Sequence, residues 1–89
     1  MREITIDCLW IRDRVGFHET IAKALEFPEW YGGNLDALHD CLTDIHEETR
    51  VRLLNWEALE ANLGNMSGGA KKVILHAASA NPRLSVTFI

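Results

Sequence analysis

The amino-acid sequence predicts an α/β fold in which a three-stranded parallel β-sheet packs with about four helices. Segments with strand character lie near the N-terminus, in the middle of the chain and near the C-terminus, and helical periodicity fills both intervals between them. A helix that connects two strands of one sheet makes them parallel, because the chain must cross over before it pairs again. The 89 residues can bury one small hydrophobic core, so we expect a single domain over residues 1–89.

The N-terminal segment predicts a strand followed by a helix. Apolar and polar side chains alternate over residues 2–8, which is typical of a strand with one buried face. Apolar residues then recur at helical spacing from about Arg14 to Glu26, and Asp13 can act as the N-cap. Pro28 ends this helix, because the residue before a proline avoids helical geometry. A loop rich in aromatic residues and glycine follows.

The middle of the chain predicts a second helix, a second strand and a short third helix. Asn34 is a favourable N-cap residue for a helix over about Leu35 to Ile45. The apolar residues of the segment 50–54 predict the strand. Asn55 is then expected to cap a brief helix that begins near Trp56.

The C-terminal part predicts one more helix and the last strand. Ser67 is expected to cap a helix near residues 68–80, and the pair Asn81-Pro82 stops it. Apolar and polar residues alternate again over residues 84–88, which predicts the third strand. The expected order is therefore β-α-α-β-α-α-β.

Composition and cysteine content favour a globular cytoplasmic protein. Hydrophobic residues make up 47% of the chain and charged residues 25%, a composition that excludes an intrinsically disordered chain. No apolar run approaches the roughly 20 residues that cross a bilayer, and the start of the chain lacks a secretory signal pattern. Two cysteines, Cys8 and Cys41, are too few for a disulfide framework, so we expect reduced, mostly buried thiols.

The charges are distributed unevenly along the sequence. Seven of the 13 acidic residues lie between Glu26 and Glu48, where there is no lysine or arginine. The rest of the chain holds the other six acidic residues and all nine basic ones. Nucleic-acid binding requires a basic surface, so this segment disfavours it and instead indicates a basic protein partner.

The second predicted helix concentrates these charges on one face. At helical spacing its leucines share one side, which predicts burial, while Asp36 and Asp40 lie on the other side with Asp44 beside them. Asp36 suits the first turn of a helix, but Asp40 stands four residues from another carboxylate and repels it. The pattern indicates either a merely solvated acidic face or a face that binds an external cation.

Two aromatic residues, Trp30 and Tyr31, precede this helix directly. Aromatic rings beside charged groups are typical of interface hot spots. One of the two rings is expected to cover the core, and either could be exposed.

Residues 28–44, PEWYGGNLDALHDCLTD, resemble the signature of the barstar family of ribonuclease inhibitors, small bacterial proteins that block a basic secreted ribonuclease inside its producer. The resemblance is weaker elsewhere but extends along the whole chain in element order. It implies the barstar-like fold predicted above and an intracellular inhibitor, a monomer when free, that blocks the nuclease active site and has neither enzymatic activity nor a cofactor. Its predicted partner is a barnase-like ribonuclease, with no nucleic acid and no membrane bound directly.

The resemblance also implies which residues bind the partner. The aspartate that matches Asp40 occupies the phosphate position in the nuclease, and the one that matches Asp36 pairs with a further arginine. Trp30 stands where the family has a tyrosine that meets the catalytic histidine, and Thr43 matches a contact residue. The predicted partner-binding residues are Trp30, Tyr31, Gly32, Asn34, Asp36, His39, Asp40, Thr43 and Asp44.

The chain departs from the family pattern at three places. His39 replaces a frequent tryptophan, Ile45 replaces another aromatic residue, and a contact glutamate of the last helix has no equivalent, with Ser79 nearest to its position. These departures keep open an alternative in which the chain is an interaction or immunity module for a different basic toxin or partner, a second copy of itself included. Because histidine side chains in general change charge near neutral pH, an interface that contains His39 is expected to bind in a pH-dependent way.

Catalysis and metal binding are weaker hypotheses. The carboxylates of Asp36 and Asp40 lie on one exposed face with no reason to differ in pKa, as an acid–base pair would require. Cys41 and His39 are two residues apart on a helix and point in different directions, and the other histidines lie on separate elements without an evident partner. A metal site of Asp36, His39 and Asp40 would be exposed and therefore weak.

Overall fold

The computed structural model describes residues 1–89 and contains the predicted α/β arrangement. The elements are, in order, β1 (Arg2–Asp7), a 3₁₀ turn (Cys8–Trp10), α1 (Arg14–Ala24), α2 (Leu35–Thr43), β2 (Thr49–Leu54), α3 (Trp56–Leu63), α4 (Asn65–Ala80) and β3 (Leu84–Phe88). The strands form one sheet in the order β1-β2-β3, and both pairs are parallel. The predicted fold class and element order are confirmed.

The alternation of side chains explains how the sheet carries the core. In β1 and β2 the apolar residues face the helices, and Ile6, Val51 and Leu53 are buried. Their neighbours along the strands, such as Thr5 and Arg52, are exposed on the other face. One cluster of buried apolar residues from the three strands and four helices forms the core.

Helices α2 and α4 pack against each other, and a side chain fixes the end of α2. Asn81, directly after α4, is buried, and its Nδ2 donates to the carbonyl oxygens of Leu42 at 3.0 Å and Ile45 at 3.1 Å. The last carbonyls of a helix have no partner within it, so Asn81 supplies one from another part of the chain. None of the four helices is both long and apolar enough to cross a membrane.

Three elements end one or two residues earlier than predicted. Cys8 begins the 3₁₀ turn and does not extend β1, because the carboxylate of Asp7 accepts a hydrogen bond from the Leu9 amide at 3.0 Å and turns the chain. Helix α1 ends at Ala24 and not at Glu26, which has a positive φ of 56°. Helix α2 ends at Thr43, two residues before the predicted Ile45.

Two of the four predicted N-caps are confirmed and two are wrong. The side chains of Asp13 and Asn34 accept hydrogen bonds from the amides of their helices' first turns. Asn55 stands before α3 with left-handed backbone angles, and its side chain donates to Asp7 across the sheet. Ser67 lies inside α4, which begins two residues earlier after Gly64, and donates its hydroxyl to the Gly64 carbonyl.

Candidate functional site

Helix α2 presents a buried apolar side and an exposed acidic side. Leu38 is 0% exposed and Leu42 is 3% exposed, whereas Asp36, Asp40 and Asp44 are exposed to solvent. The Asn34 carboxamide oxygen accepts the Ala37 amide at 2.8 Å and begins the helix. We call the three exposed carboxylates the acidic face. The amphipathic pattern predicted for this helix is confirmed.

No cation of the chain neutralises the acidic face. The two ion pairs of the protein join Arg2 to Glu26 at 3.7 Å and Arg50 to Glu3 at 3.4 Å. Neither involves Asp36, Asp40 or Asp44. The carboxylates therefore stand in solvent four residues apart, where they repel one another along the helix.

We call residues 28–33, the segment before α2, the aromatic loop. Its two aromatic rings differ in burial. Trp30 is 72% exposed, whereas Tyr31 is half-buried and packs on Phe27, with ring centroids 5.1 Å apart. The expectation that one of the two rings covers the core is confirmed, and that ring is Tyr31. Burial, reinforced by Cys41 nearby, raises the pKa of Tyr31 to about 12, so its phenol remains protonated at neutral pH.

The end of the aromatic loop leads into the helix through two glycines. Gly33 has a φ of +64°, a conformation that glycine adopts without strain. A Cβ on Gly32 would lie 3.3 Å from the Asn34 side chain that caps α2. The backbone conformation therefore favours glycine at position 33, whereas a side chain at position 32 would require the Asn34 carboxamide to shift by a few tenths of an ångström.

A histidine from another helix joins the predicted site. The Nε2 atom of His39 lies 2.9 Å from Nδ1 of His76 on α4, and the two imidazole rings stack with centroids 5.0 Å apart. The expectation that His76 has no evident partner is wrong. The two residues are 37 positions apart, and only the packing of α2 on α4 brings them together.

The polar groups of Thr43 and Asn34 are engaged within the protein. The Thr43 hydroxyl donates to the carbonyl oxygens of His39 at 3.0 Å and Asp40 at 3.1 Å, and Asn34 serves as the cap. The predicted partner-binding residues differ in exposure. The acidic face, Trp30, Gly32 and Asn34 are exposed, whereas Tyr31, His39 and Thr43 are half-buried.

The thiol of Cys41 has the properties of a buried apolar group. Cys41 is 6% exposed, and burial, followed by the charges of Asp44 and Asp40, raises the pKa of its thiol. Burial likewise raises the pKa of Cys8 to about 11. Both cysteines are free, and a raised pKa keeps each thiol in its less reactive form.

His18 on α1 also has a partner, Tyr31, that the spacing of the two residues along the chain does not indicate. The residue is 4% exposed, and its Nδ1 lies 2.5 Å from the hydroxyl oxygen of Tyr31. Burial and the positive charge of Arg14 lower the pKa of His18, so the ring is neutral at pH 7.

The protein contains no group of three or more His, Cys, Asp or Glu side chains that could hold a metal ion.

Comparisons with known proteins agree with the resemblance found in residues 28–44. The family model described as Barstar (barnase inhibitor) matches residues 1–88. The chain is also similar to a curated protein, "Putative ribonuclease inhibitor YrdF" of Bacillus subtilis (strain 168), with 36% identity over 78 residues that cover 86% of each sequence. The family match spans all three strands and all four helices.

Proposed function

Because the chain belongs to the barstar family of barnase inhibitors, we propose that it binds and inhibits a basic, secreted bacterial ribonuclease of the barnase type. It acts in the cytoplasm of the producing cell as an antitoxin, as a monomer until it meets the enzyme, and it has no catalytic activity of its own. The surface that binds consists of the acidic face and the aromatic loop.

The observation that carries this proposal is the set of exposed carboxylates without a cation of their own. Asp40 lies between Asp36 and Asp44 on α2, and no lysine or arginine of the chain pairs with any of them. A carboxylate presents two oxygens in a geometry that arginine binds through paired, charge-assisted hydrogen bonds, as it binds phosphate. The acidic face can therefore replace the RNA backbone in an active site built to hold phosphates.

The rest of the surface suits this role. Trp30, exposed at 72%, provides a large apolar contact beside Asp44 at the end of α2, as an interface anchor would. An interface of ordinary size takes about 800 Å² from each partner, and the free protein exposes 5465 Å². Helix α2 is already formed, so binding orders little additional chain.

Inhibition of RNA cleavage by purified barnase-type ribonuclease tests the proposal. We expect the wild-type protein to inhibit and Asp40→Ala to weaken inhibition by at least about 30-fold, because the enzyme's buried cations then lose their partner. Glu60→Ala is the matched control, since it removes one exposed carboxylate from α3, away from the acidic face, and should inhibit like the wild type. Equal inhibition by the wild type and Asp40→Ala, with both folded by circular dichroism, would refute the proposed role of Asp40.

The pair of His39 and His76 favours one alternative. Two imidazoles whose nitrogens lie 2.9 Å apart form a polar surface where the family often has an aromatic residue, so a different enzyme would fit it. The alternative holds if the protein binds no barnase-type ribonuclease but does bind another basic toxin, and if Asp40→Ala weakens that binding. The protein is then an immunity module for that toxin.

A further inference from the structure

A row of rings connects the core to the aromatic loop. The His18 ring meets Phe17 edge-on at 5.1 Å and Tyr31 at 5.7 Å, and Tyr31 in turn meets Phe27 at 5.1 Å. Phe17 is 0% exposed and lies in the main core. His18 therefore lies between the core and the loop that carries Trp30.

The hydrogen bond between His18 and Tyr31 fits either tautomer of the neutral imidazole. The phenol donates to Nδ1 when Nε2 carries the imidazole proton, and Nδ1 donates to the phenol oxygen when Nδ1 carries it. In both tautomers Nε2 is buried and has no hydrogen-bond partner.

The unpartnered nitrogen is a cost that an apolar residue would not carry. A buried polar atom without a hydrogen-bond partner lowers stability, and an apolar residue of similar size would avoid the loss. The feature that an apolar residue could not provide is the bond to the Tyr31 hydroxyl. His18 is on α1, 13 residues from Tyr31, and this bond joins α1 to the loop by their side chains.

We propose that His18 is a positioning residue for partner binding: its bond to Tyr31 fixes the aromatic loop so that Trp30 stands in place beside the acidic face. The effect on partner binding rests on the proposed function, whereas the fixing of the aromatic loop by His18 does not depend on it. Two glycines alone separate Tyr31 from the cap of α2, so the position of Tyr31 also sets the start of that helix. Loss of the bond leaves Tyr31 with an unpartnered hydroxyl and frees residues 28–33.

The structural part is tested in the free protein by backbone ¹⁵N order parameters. We expect values for residues 29–33 to fall from about 0.85 in the wild type to below about 0.6 in His18→Leu. His18→Asn, which can place an amide near the Nδ1 position, should retain most of the order. Thr20→Ala is the control, because Thr20 lies on the same helix but faces a different depression, beside Thr5 and Asp7, and does not border the aromatic loop. Wild-type order parameters in folded His18→Leu would overturn the inference.

The functional part is tested by binding kinetics with a barnase-type ribonuclease. His18→Leu and Tyr31→Phe should each raise the dissociation rate about tenfold, the change that corresponds to one hydrogen bond. The double variant should do no worse than either single variant, since both remove the same bond. It should also melt no lower than His18→Leu, because no hydroxyl is left unpartnered. Additive effects of the two substitutions on dissociation would overturn the inference.

The two parts fail separately. If the wild type binds no ribonuclease, the proposed function fails, while the order parameters still decide whether His18 holds the loop. If the wild type binds and the loop remains ordered without His18, the positioning role is wrong and the proposed function stands.

Discussion

Replacing Asp40 by asparagine should make the free protein more stable, although the same change is expected to weaken binding. Asp40 stands four residues from Asp36 and four from Asp44, and no cation pairs with any of the three carboxylates. Asp40 also belongs to the last turn of α2, which ends at Thr43, where the negative end of the helix dipole disfavours a negative charge.

The expected gain can be worked out from these contacts. Each like-charge pair at this spacing costs about 0.2–0.5 kcal/mol, and Asp40 takes part in two. The dipole adds about 0.3 kcal/mol, so Asp40→Asn should gain about 0.7–1.3 kcal/mol. For a domain of this size the melting temperature should rise by roughly 3–10 °C. Asp36→Asn should change stability little, because removing one repulsion is offset by losing a favourable charge in the first turn.

Thermal and urea unfolding of the two variants and the wild type, at low ionic strength and in 1 M NaCl, measure this difference. Salt should reduce the gain, because the screening length falls to about 3 Å in 1 M salt. A less stable Asp40→Asn would contradict the reasoning, since it would mean that the carboxylate has a stabilising partner within the chain. An equal gain at both salt concentrations would show that the effect is not electrostatic.

Two further predictions concern the support of α2 and acid stability. Asn81→Ala should lower stability by about 2 kcal/mol, because the carbonyl groups of Leu42 and Ile45 lose the Asn81 amide; a loss below about 0.5 kcal/mol in urea unfolding would show that water replaces the amide. Because the pKa of His18 is lowered in the folded state, stability should fall as the pH drops from about 6.5 through that lowered pKa and then level off, and His18→Leu should remove this step.

The acidic face could be predicted from the sequence because it depends on local geometry. A helix places residues three and four apart on one side whatever surrounds it, so Leu38 and Leu42 had to lie together and Asp40 had to point away from them. The N-cap Asn34 belongs to the same local pattern. Only the position of the helix end, at Thr43, required knowledge of the chain beyond it.

The pairs of side chains between elements could not be predicted in this way. His39 meets His76 because α2 packs on α4, and His18 meets Tyr31 because the loop returns to α1. Nothing in the spacing of these residues along the chain encodes either contact. The prediction that the Asn55 side chain caps α3 was wrong for a similar reason, because that side chain donates to the Asp7 carboxylate on the neighbouring strand.

Helix α2 should not form outside the protein, because the residues that stabilise it lie partly elsewhere in the chain. It has nine residues, whereas isolated helices shorter than about 12–15 residues are marginal even with favourable sequences, and its aspartates repel one another. Its stability must come from the buried leucines and from Asn81 beyond its end. A synthetic peptide of residues 34–45 should therefore show little helicity by circular dichroism and inhibit ribonuclease at least a thousandfold more weakly than the whole protein, although it contains the entire acidic face. Comparable inhibition by the peptide would mean that the charges alone suffice and that the fold contributes no preorganisation.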